Sequence, residues 1–467
     1  MVIKGIKSNS TISKAHSISD EFKHVQIKDY RLVKRIKTTA EILEKNPECS
    51  IPKACKNKAQ LKGTYRLLDN PKLSSDIIID SHRQETIKRT KGHNIVLIHQ
   101  DSCILDYTNH KKTQGLGPVG TSKFLSGLMM HTAFCTTTTG VPLGVLAQKM
   151  WARDPESRGK RKLRGQLSIQ EKESYKWLEL LDASLQGLPK DLIAVTVADR
   201  EADIYEFFYK AARDKRHLLI RAAHDRRIAQ EQKKLFRQIQ NCPVIGECLL
   251  KLPRNSKLNL VEREAKFTVK SCAVDLCPPK GGKSPDIKLS AVCVEELSPP
   301  QGITPVKWLL LTTFQVKTFE EAMEKVHWYC ERWKIERFHF VLKNGCEIEE
   351  LQLESSERLK NAIALYSVLA WKLTWITYQS RETPDVPCTV ILDEREWKVL
   401  YCLVNPKSRP PKKAPNLMEA VVLIARLGGF LARKNDGNPG VKVLWHGYQR
   451  FYNALETLSA LDLSPFS

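Results

Sequence analysis

The chain has 467 residues, with 75 Lys plus Arg against 52 Asp plus Glu, for a formal net charge of +23. Its 42% hydrophobic content is ordinary for a globular protein and excludes wholesale disorder. The length suits roughly two to four folding units, and the charge excess points to a polyanion, either nucleic acid or an anionic membrane surface.

The membrane alternative weakens quickly. The opening MVIKGIKSNSTISKAHSISDEF has no continuous apolar core, so it does not read as a signal peptide. The most apolar run, 420–432, is broken by Arg426 and by Gly428 and Gly429, and is too short to span a bilayer. The 13 Cys are scattered and none forms a CxxC, which removes the usual zinc-finger and thioredoxin readings. Unpaired cysteines without a signal peptide predict a reducing compartment, and with the charge they predict a cytoplasmic, nucleoid-associated protein.

Residues 1–85 read as a basic helical unit. In 31–45 the apolar Leu32, Ile36, Ala40 and Leu43 recur at helical spacing, while Arg31, Lys34, Arg35, Lys37 and Lys45 fill the other faces. Ser50 and Pro52 suit a helix start, and 53–71 is a second basic helical stretch. Such a face is either a solvated surface or a DNA contact, and the density of cations on short helices favours DNA.

From about 86 the pattern changes to strands. NIVLI at 94–98 reads as a buried strand running into Asp101, and LIAVTVA at 192–198 as another running into Asp199. A basic loop is expected at 153–166, a helix at about 169–186 and a further strand at 218–220. Strand alternating with helix predicts a mixed α/β sheet. Residues 226–315 carry short strand patterns and read as a β-rich insertion, followed by one long helix over 317–344 and another over about 356–380. The segment NPKSRPPKKAP reads as an exposed linker, and 416–467 as a helical C-terminal unit. The division expected is 1–85, 86–385 and 386–467.

Carboxyl ends of strands are where ligands gather in open α/β sheets. Aspartate also commonly starts a turn, and for the two Asp by themselves capping is the leading reading. The helix over 317–344 adds to the case. Tyr329, Arg332, Glu336 and Lys343 fall within an arc of roughly 60° beside its apolar stripe at 100° per residue. Pairing of Arg332 with Glu336 on a solvated face is the alternative. Three converging carboxylates can hold two divalent ions about 3.5–4 Å apart, one activating a hydroxyl and one steadying the leaving oxygen of a phosphodiester. Mg²⁺ favours such oxygens and needs few protein ligands.

YCERWKIERFHFVLK carries Tyr-(2)-Arg-(3)-Glu-(6)-Lys at Tyr329, Arg332, Glu336 and Lys343. VADREADIYEFF surrounds Asp199 and IHQDSCILDYTNH surrounds Asp101. With KWLLLTT, IARLGGF and IPKACKNKAQLKGTYRLLDNP, these blocks run from about residue 28 to about 460. On these blocks the sequence resembles the DDE transposases of the insertion-sequence-four family, which includes the transposase of transposon five. The resemblance implies a ribonuclease-H-like catalytic core flanked by helical N-terminal and C-terminal domains. It implies catalytic, metal-ligating roles for Asp101, Asp199 and Glu336, with two Mg²⁺ per site and Mn²⁺ as a substitute. It implies DNA phosphate contacts from Tyr329, Arg332 and Lys343, and contacts from Arg35 and Lys45 to the element's terminal DNA. Trp308 would stack on a flipped base; its alternative is a core strand position. The partners implied are double-stranded element ends and target DNA, bound by a homodimer. The family has two Thr after its first Asp, where this chain has Ser102 and Cys103.

The expected activity is cut-and-paste transposition by an endonuclease and polynucleotidyl transferase, through end cleavage, a hairpin intermediate and strand transfer. The alternatives are a catalytically inactive or repurposed DNA-binding protein and a general metal-dependent nuclease. Two patterns are set aside. GLGPVG at 115–120 fits GxGxxG but follows no strand and contains Pro118. The 12 His show no HExxH.

Overall fold

In the computed structural model of the chain, the structure describes residues 17–46, 50–122, 124–157, 167–252, 260–282, 284–406 and 408–461. After a 3-10 turn at Ile18–Phe22, four helices open the fold: α1 (Tyr30–Lys45), α2 (Ile51–Ala54), α3 (Lys58–Leu68) and α4 (Ser75–Thr90). The side chain of Asp29 accepts from Arg31 N at the start of α1, and those of Asn57 and Ser74 cap α3 and α4 in the same way. Leu32, Ile36, Ala40 and Leu43 are the buried stripe of α1, at the spacing an amphipathic helix requires.

The N-terminal turn is tied to α4 by a buried polar network. Glu21 and His82 are 4% and 0% exposed, so their groups need partners within the protein. His82 Nδ1 lies 2.6 Å from Glu21 Oε2. Arg89 grips both Glu21 oxygens at 2.8 and 3.0 Å and stands 4.0 Å from the Trp371 ring centroid.

A single sheet follows, built from β1 (Ile95–Asp106), β2 (Gly117–Pro118), β3 (Ser126–Thr137), β4 (Pro142–Trp151), β5 (Ile193–Ala198), β6 (His217–Arg221), β7 (Val244–Leu252), β8 (Arg263–Leu276), β9 (Ile287–Glu296) and β10 (Lys307–Thr312). Three helices are interleaved with these strands: α5 (Tyr175–Leu185), α6 (Tyr205–Arg213) and α7 (Leu235–Asn241). β3 pairs antiparallel with β1 and with β4, while β5 lies parallel to β1 and β6 parallel to β5. Three antiparallel strands followed by two parallel ones beside the first make a ribonuclease-H-like core. β10 then joins β6 antiparallel, and β9, β8 and β7 extend the sheet in turn. The segment read as an insertion thus continues the core sheet, a pairing across distant sequence that local patterns do not reveal.

Side chains alternate across a strand. Val96 and Ile98 pack with β3, β4 and Leu180 on one face, while Leu97, Val195, Val197, Leu219 and Leu310 share the other face with Val326 and Trp328. That second face carries α8 (Phe319–Glu331), α9 (Trp333–Asn344) and the long α10 (Ser356–Glu382). The stretch 317–344 is therefore two helices, divided at Arg332. Three more helices, α11 (Glu394–Val404), α12 (Leu417–Leu427) and α13 (Val441–Ala460), complete the chain. Residues of α1, α3, α4, α9, α10, α12 and α13 contribute to one continuous hydrophobic core.

Part of the basic loop expected at 153–166, namely 158–166, lies outside the described residues. Among the described residues, no helix is long and apolar enough to cross a membrane.

Candidate active site

The register of the sheet sets the site. Gln100 of β1 pairs with Ala198 of β5, so Asp101 and Asp199 are neighbours one residue further on. Ala198 pairs with Ile220, which brings Arg221 alongside Asp199, and Arg221 in turn pairs with Leu310 of β10. Two-residue alternation from Leu97, Val197, Leu219 and Leu310 places Asp101, Asp199, Arg221 and Trp308 on the face covered by α8 and α9. Asp199 ends its strand as expected from an apolar run. Asp101 does not: β1 continues through it to Asp106, because its pairing with β3 persists beyond the apolar stretch.

Asp101 Oδ1 accepts from Ser102 N at 2.9 Å, and its Oδ2 stands 3.7 Å from His339 Nδ1. Asp199 Oδ1 accepts from Glu201 N at 2.9 Å, capping the turn Arg200–Ala202. Burial pushes the Asp101 carboxyl up to about 7; Arg332 draws it down, while Asp199 and, more weakly, Glu336 push it up. Asp101 therefore feels both other acids. Glu336, in the first turn of α9, is ion-paired with Arg332.

Arg332 and Tyr329 lie beside these acids, and Lys343 stands further along α9. Arg332 lies at the α8–α9 junction with its guanidinium 5.8 Å from the Tyr329 ring centroid, and among the described residues its buried Nε has no hydrogen-bond partner. The ring centroids of Tyr329 and Trp308 are 5.5 Å apart, in an edge-on arrangement. Lys343 stands at the other end of α9, donating to Ile104 O at 3.0 Å and pairing with Glu349 at 2.9 Å. Arg35 and Lys45 belong to α1 and are not part of this face. Arg35 lines a groove between α1 and α3, whereas Lys45 lies ten residues on, about 15 Å along the helix.

Arg221 was not among the residues singled out from sequence. Its Nη2 donates to Lys307 O at 3.1 Å, and among the described residues its buried Nε has no hydrogen-bond partner. Burial lowers its pKa, and Tyr329 opposes that shift through charge and a hydrogen bond. A basic residue ending an apolar strand, as Asp199 ends its own, was the available signal. Ser102 also has a partner: its Oγ is 2.9 Å from His131 Nδ1, on the opposite face of the sheet.

The chemistry of this donor set, though not its present spacing, suits a divalent ion. The Asp101 carboxyl responds to the charges of Asp199 and Glu336, and burial makes its own charge costly without a compensating cation. Among the described residues, no three His, Cys, Asp or Glu side chains already stand at ligand spacing.

Three family descriptions match the chain in order. "Transposase DNA-binding" matches residues 15–73, "Transposase DDE domain" residues 175–372, and "Transposase Tn5 dimerisation domain" residues 368–459. A solved structure, the cryo-EM structure of piggyBac transposase synaptic complex with hairpin DNA, is similar at 7% identity with a TM-score of 0.35. The match covers 75% of this chain and 66% of that one. With segments for DNA binding, DDE chemistry and dimerisation following one another along it, the chain belongs to the DNA transposases of the Tn5 type.

Proposed function

We propose that this transposase belongs to the insertion-sequence-four family and moves its element by a cut-and-paste route, with Asp101, Asp199 and Glu336 as the ligands of two Mg²⁺, for which Mn²⁺ substitutes. The observation that carries the reading is the shared sheet face of Asp101 and Asp199, with Glu336 near enough to act on the Asp101 carboxyl. Bound divalent ions would supply activation of the attacking oxygen and stabilisation of the leaving one.

Arg221, Arg332 and Lys343 bind phosphate oxygens, and the Tyr329 hydroxyl adds a donor. Their cations hold the scissile phosphate against the acids and balance the charge that develops there. Water attacks the phosphorus at the element end, the bond to the 3′ oxygen breaks, and a 3′-hydroxyl is released. That hydroxyl attacks a phosphorus of the opposite strand to form a hairpin, the bond from that phosphorus to the 3′ oxygen of the flanking DNA breaks and the flank leaves with its own 3′-hydroxyl, and Trp308 stacks on the base that leaves the helix. Water attacks the hairpin phosphorus and releases the 3′-hydroxyl again, and that hydroxyl then attacks a phosphorus of target DNA and displaces a 3′ oxygen of the target strand. Residues 1–85, including Arg35 and Lys45, bind the element end; 86–385 perform the chemistry; 386–467 pair two protomers.

The test is to replace Asp101→Asn, Asp199→Asn and Glu336→Gln one at a time. Each variant abolishes Mg²⁺-dependent cleavage of end-bearing DNA, retains DNA binding, and loses the rise in melting temperature that Mn²⁺ gives the wild type. Wild-type cleavage by any one of them removes that residue from the metal site.

A further inference from the structure

A groove of about 600 Å³ opens between α1 and α3, lined by Arg31, Arg35, Lys62 and Arg66. Arg31 is partly offset by Asp29, 3.5 Å away. Among the described residues, no hydrogen bond or ion pair engages the side chains of Arg35, Lys62 or Arg66. All three are exposed, so the groove presents uncompensated positive charge within the segment that matches "Transposase DNA-binding".

The floor of this groove holds an unusual residue for its place. Gly63 lies in the middle of α3, where glycine weakens a helix relative to alanine. Its backbone is helical with no positive φ, so the conformation does not require glycine. Space does. A methyl group at position 63 would stand 2.5 Å from Arg35 Nη1, 2.7 Å from Arg35 Cζ and 3.2 Å from Arg35 Nε. Each distance is shorter than van der Waals contact, so the guanidinium of Arg35 rests directly on the bare Cα of Gly63.

We propose that Gly63 is a positioning residue for DNA recognition: its missing side chain lets the Arg35 guanidinium lie across α3, inside the groove, where it meets a phosphate of the bound duplex. Any larger residue lifts that guanidinium out of line with Lys62 and Arg66. The inference rests on the reading of α1–α3 as the end-binding surface and adds the residue that sets its geometry.

The experiment is a double-mutant cycle on the full chain, read by fluorescence anisotropy with a labelled mixed-sequence duplex across a salt series. Gly63→Ala is expected to weaken binding several-fold and to reduce the slope of log affinity against log salt by about 1, the loss of one phosphate contact. Its melting temperature is unchanged or raised, because alanine is the better helix former. In an Arg35→Ala background, Gly63→Ala has no further effect. Two results overturn the inference: wild-type affinity and slope in Gly63→Ala while Arg35→Ala binds weakly, or an equal loss from Gly63→Ala in both backgrounds. If Arg35→Ala itself binds as the wild type does, the end-binding reading of the groove fails, and the role of Gly63 fails with it.

Discussion

Val145 N–H points at His82 Nε2 from 3.0 Å, which leaves the ring's only hydrogen on Nδ1, facing Glu21. The imidazole is thus neutral and oriented, and burial holds its pKa below the ordinary 6.5. Burial alone would raise the Glu21 carboxyl, but the Arg89 charge and the hydrogen bonds from His82 and Arg89 bring it down to about 2.

Stability should therefore fall with acid in two stages of the same sign. Below 6.5 the unfolded chain takes up a proton at residue 82 that the folded chain refuses. Between 4.5 and about 2 the unfolded chain protonates residue 21 while the folded chain does not. The Glu21 contribution is complete above 4.5, is lost as pH falls toward 2, and amounts to about 3 kcal/mol. Urea unfolding as a function of pH measures it. Glu21→Gln should flatten the curve below 4.5 and cost roughly 3–5 kcal/mol near neutrality, since it leaves Arg89 buried without its counter-charge. A variant curve parallel to the wild type would remove Glu21 from the acid response.

Arg221→Ala should lower Mg²⁺-dependent cleavage of end-bearing DNA by roughly 10²-fold, the usual scale for losing one preorganised donor at a developing charge. Melting temperature should change little, because Arg221 ends its strand and its direct protein partners are Lys307 O and Tyr329, while DNA affinity should fall only several-fold, the loss of one phosphate contact. Arg221→Lys should restore only part of the rate, as an ammonium lacks the planar fork. Full activity in the alanine variant would take Arg221 out of the phosphate site.

The crossing of α12 and α13 depends on two glycines. A methyl group on Gly447 would overlap the carbonyl of Ile424, and one on Gly428 the carbonyl of Val443. Backbone cannot yield as a side chain does, so Gly447→Ala should cost about 1–3 kcal/mol despite the better helix propensity of alanine. Thermal melting reads the loss, and sedimentation should show weaker self-association, since both helices lie in the segment matching the dimerisation family. An unchanged melting temperature would mean that the two helices separate without penalty.

Much of this architecture is legible in the sequence. Leu32, Ile36, Ala40 and Leu43 give α1, and LIAVTVA gives both β5 and the position of Asp199, since apolar periodicity is a local property. The extension of β1 past Asp101 is not legible, because SCILD alternates weakly and its strand character comes from pairing with β3. Nor is the break between α8 and α9. Arg332 keeps helical backbone angles, and the break lies in the tightened hydrogen bonds from Arg332 N to Tyr329 O and from Ile335 N to Arg332 O. Arg221 escaped notice for a related reason: its importance comes from the strands on either side, which lie more than twenty residues away.

α10 packs with helices from both ends of the chain. Its Asn361 donates to Leu68 O at 3.1 Å, its Trp371 lies against His82 at 4.8 Å, and Leu365, Leu369 and Ile376 join the same apolar mass as Ile36, Ile424 and Leu444. Cutting the gene on either side of this helix would strand oily surface on each fragment. The ends of the polypeptide, read as recognition and partnering modules, are thus bound to mature together, and a ribosome must finish the last helices before the first ones gain their full shelter.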